Sequence, residues 1–346
     1  MNSTPEMSLS HPVKVWLWLG LFLVLLMLMV GSITRLTESG LSITDWRPIT
    51  GTIPPFSQDD WEMEFEKYRK SPEFLYKNSN FSLSDFKTIF WWEWAHRFIA
   101  RLIGVVYIIP LIYFHFKKII PRKIQTHVYL VGALGLLQGF FGWFMVKSGL
   151  VLEPRVSHYR LVLHLITALL ISSLIFWQIL SLNDNKASLK FSSGVKSCTY
   201  LALIALIIQI ILGAFVAGKD AGQLYNTWPK MGDAWVPESV FAASPWYLNI
   251  LENESGIQFF HRSFAWIVYL LILLVTIKIL KSNPNKSCWN LSVYLLVGIH
   301  LQIILGILTL IYAVPIVLGV LHQLVAALIL LGFVKLIFYL SIFRKS

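Results

Sequence analysis

Residues 88–114 read TIFWWEWAHRFIARLIGVVYIIPLIYF. The C-terminal part is an unbroken apolar run. The N-terminal part carries three tryptophans, a glutamate, a histidine and two arginines. About 20 apolar residues cross a bilayer as a helix, and tryptophans gather where such a helix leaves the lipid. The stretch therefore predicts a membrane span with His96 inside its outer end, where an imidazole needs a partner and is a functional residue by default. Seven further stretches are long and apolar enough to span, and with this one they fall near 13–34, 88–114, 124–147, 159–182, 196–218, 257–280, 289–312 and 315–341. The 346-residue chain is 56% hydrophobic and 14% charged, which reads as an integral membrane protein.

The formal charge of +11 is not a nucleic-acid signal, because the basic residues cluster between spans. Lys117, Lys118, Arg122 and Lys123 form one group, Lys186, Lys190 and Lys196 a second, Lys278, Lys281 and Lys286 a third, and Arg344 and Lys345 end the chain. The positive-inside rule then puts both termini in the cytoplasm and the connections 35–87, 148–158, 219–256 and 313–315 outside. The 148–158 connection breaks the rule, since Lys147, Arg155 and Arg160 outnumber Glu153. The first apolar run, Val13 to Val30, is too long for a cleavable signal, and no Arg-rich, acid-poor transit segment precedes it. A bacterial inner membrane is the expected location. Cys198 and Cys288 are the only cysteines and both fall at cytoplasmic span ends, so neither a disulfide nor a thiolate site is expected.

The chain repeats itself. Gly31-(x8)-Gly40-(x5)-Trp46 matches Gly213-(x8)-Gly222-(x5)-Trp228. Trp94-Ala95-His96-Arg97 answers Phe259-Phe260-His261-Arg262, and Val162-Leu163-His164 answers Val320-Leu321-His322. Gln138-xxx-Gly142 answers Gln302-xxx-Gly306, with Gln209-xxx-Gly213 of the same form. Each half holds four spans, so both copies run the same way through the membrane. The fold expected is all-α, with eight transmembrane helices as two parallel-repeat four-helix bundles, residues 1–182 and 183–346. The Gln-xxx-Gly pairs read most simply as packing devices, the glycine admitting a neighbour and the amide bonding across.

His96, His164, His261 and His322 lie one per span at nearly one depth, about 8–12 Å below the outer helix ends at 1.5 Å per residue. Pairing His96 with His164 and His261 with His322 puts one site in each bundle. Zinc or copper would want further soft or acidic ligands, whereas two opposed imidazoles suit haem iron. The 14 Trp, 13 Tyr and 23 Phe suffice to line porphyrin pockets, though membrane interfaces are aromatic too. Arg97, Arg262, Arg155 and Arg160 are candidates to pair with haem propionates, or else snorkel to headgroups. Glu93 shares a helix face with His96, and the matching residue before His261 is Gln258, which cannot ionise. This predicts a reactive first site and an electron-carrying second one. A Glu93–Arg97 ion pair is the plainer reading at that spacing. The outer connection of the first half is the longer of the two, as a substrate cover or as simple elaboration.

On Gly31–Trp46 (GSITRLTESGLSITDW), Glu93–Arg97 (EWAHR), Gly218–Pro229 (GKDAGQLYNTWP) and the four histidines, nearly the whole chain resembles the haem A synthase family, in its longer-looped branch. The resemblance implies oxidation of one methyl group of haem O to the formyl group of haem A, by successive hydroxylation and loss of water. It implies that His96 and His164 hold the substrate haem and that Glu93 moves protons or steadies a cation. His261 and His322 would then ligate a resident haem b. Haem O synthase would supply the substrate and cytochrome oxidase receive the product. Outer-loop cysteine pairs known in some members are missing here. A quinone or another carrier would accept electrons; the sequence specifies neither. The rivals are a non-catalytic di-haem cytochrome b in quinol electron transfer, a parallel-repeat transporter and a haem-delivery protein.

Overall fold

The computed structural model describes residues 5–47, 49–150, 154–183, 193–282 and 284–342. The helices are α1 (Pro5–Leu36), α2 (Gln58–Tyr68), α3 (Pro72–Tyr76), α4 (Leu83–Phe116), α5 (Arg122–Gly149), α6 (His158–Ser181), α7 (Ser193–Gly218), α8 (Leu248–Leu251), α9 (Glu254–Leu280), α10 (Lys286–Ile311) and α11 (Ile316–Ile342). Among the described residues there is no strand, and eight helices are long and apolar enough to cross a membrane: α1, α4, α5, α6, α7, α9, α10 and α11. These coincide with the eight expected spans. Of the charges that oriented the chain, Lys186, Lys190, Arg344, Lys345 and Glu153 lie outside the described residues.

The chain divides into two compact units, Met1–Ile175 and Phe176–Ser346, with the boundary inside α6. In the second unit α7 packs on α9, α9 on α10, α10 on α11 and α11 back on α7, a closed ring of four. In the first unit α4 packs against both α1 and α5.

α4 begins at Leu83, earlier than its apolar run. Ser82 caps it, its hydroxyl accepting from the Asp85 N–H while the Asp85 carboxylate accepts from the Ser82 N–H. The same box starts α2 at Ser57 and Asp60. Two orphan N–H groups are satisfied at each helix start, so an N-terminal extension of α4 beyond its apolar run and a separate α2 can form in water.

The connection 35–87 is consequently a folded cap. Trp61 and Tyr68 of α2, Phe74 of α3 and Phe86, Ile89 and Phe90 of α4 make one buried cluster, with Tyr68 stacked on Phe86 at 5.1 Å between ring centroids. Glu73 is buried beneath it, accepting from the Tyr68 hydroxyl (3.0 Å), which itself accepts from Asn78 Nδ2 (2.7 Å). Burial pushes the Glu73 carboxyl up to about 7; the Tyr68 hydrogen bond and Lys77 oppose the rise, and Glu93 and Glu38 add to it.

Candidate functional site

The motif that opens the first unit wraps around the N-terminal part of α4. Glu93 is 2% exposed, yet its carboxylate is saturated. Oε2 accepts from Ser42 Oγ and from the Ile43 N–H, both at 2.7 Å. Oε1 accepts from Arg97 Nη2 at 2.7 Å and Nε at 3.1 Å. Arg97 also donates to the carbonyls of Ile43 (2.9 Å) and Asp45 (3.2 Å), and its guanidinium lies over the Trp46 ring at 5.8 Å. The ion pair allowed by the i,i+4 spacing therefore forms. Four charge-assisted or hydroxyl donors make a buried carboxylate affordable where an unpaired one would not be.

The second unit builds the same frame without the acid. Gln258, also 2% exposed, donates from Nε2 to the Tyr225 carbonyl at 3.1 Å. Arg262 donates from Nη2 to the carbonyls of Thr227, Pro229 and Lys230 (2.9–3.2 Å) and lies over the Trp228 ring at 5.3 Å.

The histidines sit against glycines. A Cβ added at Gly31 would lie 3.3 Å from His96 Nε2, at Gly142 3.1 Å from His164 Cε1, at Gly213 3.0 Å from His261 Cε1 and at Gly306 2.9 Å from His322 Cε1. Each glycine is on the neighbouring helix and leaves room for an imidazole where a side chain would stand. The glutamine one turn earlier reaches the same ring. Gln138 Nε2 is 3.3 Å from His164 Nε2, Gln302 Nε2 3.3 Å from His322 Nε2, and Gln209 Nε2 3.1 Å from His261 Nδ1. The Gln-xxx-Gly pairs are thus imidazole cradles, a role beyond the packing expected of them. The position one turn before Gly31 is Met27, so His96 has no such amide.

A family model described as cytochrome oxidase assembly protein (COX15-CtaA) matches residues 14–334. The chain belongs to this family. It is similar to proteins named Heme A synthase from Wolbachia pipientis wMel, 42% identical over 88% of this chain and 86% of that one, and from Nitrosospira multiformis, 41% identical over 90% and 88%. A third, from Sinorhizobium medicae, is 44% identical over 88% and 83%.

In this member of the cytochrome oxidase assembly family the two histidines of the second unit face one another at a spacing that would suit a metal between them. The rings of His261 and His322 are 6.5 Å apart at their centroids, with planes at 79°. Two metal–imidazole bonds of about 2 Å each, plus the two ring radii, come to about 6 Å. Nδ1 of His164 and of His322 is buried without a hydrogen-bond partner. Among the described residues no three or more His, Cys, Asp or Glu gather, the set that a metal held by protein side chains alone would want. Other histidines are ordinary by contrast: His300 meets the Tyr269 hydroxyl at 3.0 Å and His115 the Tyr129 hydroxyl at 2.7 Å. His158, at the start of α6, is buried at 7% exposure.

The four candidate arginines have separate environments. Arg97 and Arg262 are committed to the loop carbonyls just described. Arg160 donates from Nη1 to the Phe144 carbonyl (2.6 Å) and stacks 3.6 Å over the Phe144 ring. Arg155 is exposed on the segment before α6. Ser42 and the Ile43 N–H, which hold Glu93, were not among the expected site residues. Ser42 lies inside the repeated Gly31–Trp46 motif, which was the available signal. A backbone donor 50 residues away leaves none.

Proposed function

We propose that this protein is a haem A synthase, a membrane oxidoreductase that converts a methyl group of haem O into the formyl group of haem A for cytochrome oxidase. Family membership and the names of its relatives support the reaction. The observation that supports the division of roles is Glu93 against Gln258, each three residues before a histidine. In the first unit His96 and His164 would hold the substrate haem. In the second, His261 and His322 would hold a resident haem b, whose chemistry when bound is one-electron transfer. Haem O synthase is the expected donor and a quinone or another carrier the electron acceptor. The expected setting is a bacterial inner membrane, both termini cytoplasmic and both sites toward the outer face.

The chain's own contribution is positioning and proton handling. His96 and Glu93 project from one face of α4, so a carboxylate stands beside whatever His96 holds. Oxidising a methyl carbon sheds protons and builds positive charge, and a fixed carboxylate both steadies that charge and takes a proton. Ser42 Oγ, bonded to Glu93, can donate and accept and so can pass a proton toward the cap. Arg97 fixes the other oxygen, so Glu93 cannot swing away from the site. Gln258, in the matching place, offers no proton chemistry.

The test is haem extraction from protein purified in mild detergent, with identification by mass. Haem b together with haem O or A is expected in the wild type. Glu93→Gln should keep haem b and haem O and lose haem A. Haem b alone in both samples favours the di-haem cytochrome, and absence of haem in both overturns either reading.

A further inference from the structure

The first unit turns four large apolar side chains outward from its cap: Trp46 is 54% exposed, Ile49 83%, Ile53 67% and Phe56 81%. In water such a group is a liability, and a cluster of this kind marks a contact surface. The segment that carries it is strapped to α4 at two heights. Arg97 binds the carbonyls of Ile43 and Asp45, and one helical turn further toward the membrane interior Arg101 donates from Nη2 to the Arg47 carbonyl at 2.8 Å. Gly51 closes on the same guanidinium, where an added Cβ would lie 2.9 Å from Arg101 Nη2. The segment therefore descends along α4 toward the lipid and does not stand above it.

At that height α4 starts its own outward stripe. Phe98, Leu102, Val105, Ile109 and Ile112 are exposed at the spacing of one helix face, the surface a membrane span offers to acyl chains. Trp94 stacks on Phe98 at 5.0 Å and heads the stripe. Trp91 and Trp92, also exposed, mark the level of the interface. A cavity of about 380 Å³ lies between the cap segment and the start of α4, with Ile53, Phe56, Phe90 and Trp94 on its apolar side and Asp45, Arg47, Asp60, Glu64, Lys67, Arg97 and Arg101 lining the rest. The exposed apolar side chains of the cap thus lie beside the head of the helix face that a membrane span offers to lipid.

We propose that the segment bearing Trp46, Ile49, Ile53 and Phe56 is an interfacial wedge. It sits in the headgroup region of the leaflet nearest the start of α4, and phospholipid chains cover these four side chains. The inference stands independently of the haem assignment.

The experiment uses the full chain in phosphatidylcholine–phosphatidylglycerol nanodiscs, with Cys198→Ser to remove the accessible thiol. Nitroxides are placed at Ile49→Cys, Ile53→Cys and Phe56→Cys, and at Gln58→Cys on α2 as a water-facing control. Collision with oxygen, which concentrates in lipid, is compared with collision with a water-soluble nickel chelate. The oxygen-to-chelate ratio at Ile49, Ile53 and Phe56 should exceed that at Gln58 several-fold. A ratio equal to that of Gln58 places the segment in water and overturns the proposal. Shielding from both reagents means a protein surface covers it, and overturns it equally.

Discussion

Glu93 and Gln258 occupy the same place in two frames of one plan, each three residues before a histidine and four before an arginine. Around Glu93 the frame is saturated, with donors from Ser42, Ile43 and Arg97. Around Gln258 a single bond to the Tyr225 carbonyl remains, and Oε1 is buried without a partner. Arg262, lacking a carboxylate, collects three carbonyls instead. The frame of loop, arginine and tryptophan is therefore a holding device that works without a carboxylate. The acid in the first unit is an addition to it, and an addition that buries a charge calls for a chemical reason.

The comparison breaks most sharply at the glycine cradles. Gly306→Val should push His322 aside and abolish haem b retention while leaving the first site loaded. Gly31→Val should do the reverse, and haem stoichiometry after extraction reads both. If either variant empties both sites, the two frames are not independent. Next comes the acid itself. Glu93→Gln should slow methyl oxidation by about 10²-fold or more, the range of a lost proton-transfer group. Gln258→Glu should leave turnover largely intact, measured as haem A formed per haem b.

Phe86→Ala tests whether the cap is peculiar to the first unit. A buried aromatic cut to alanine costs about 3–5 kcal/mol, so amide exchange should accelerate in α2 and α3 and stay unchanged in α9. Glu73 adds a pH dependence to the same cap. Its folded value, near 7, lies above the ordinary 4.5, so its stabilising contribution is complete below about 4.5 and fades as pH rises through 7. The window carries at most about 3 kcal/mol, and Glu73→Gln should flatten it in a denaturation series from pH 4.5 to 8. The smallest effect belongs to Gln302→Leu. Loss of one amide contact to His322 should weaken haem b retention by about 1 kcal/mol.

The spans were legible because lipid imposes one rule on every residue within them, and the four histidines stood out because that rule makes each costly. The repeat motifs marked the Glu93 and Gln258 frames before any contact was visible. The cap was not foreseen as a folded body, although Ser57-x-x-Asp60 and Ser82-x-x-Asp85 are helix starts written in the sequence. Its core joins Trp61, Tyr68 and Phe86 across separate helices, a pairing that no local period encodes. The glutamines were read as packing residues because an amide near a glycine looks the same whether its target is a backbone or an imidazole. Met27 in place of a fourth glutamine carried the asymmetry in plain view, and its meaning emerged only when Gly31 was seen against His96.

Arg97 is a strut between helix and loop. Its guanidinium holds Glu93 with one edge and the chain at Ile43 and Asp45 with the rest, so a single side chain ties the buried acid of α4 to the start of the cap. Cutting it would strip a buried carboxylate of two of its four donors and unmoor the loop in the same stroke.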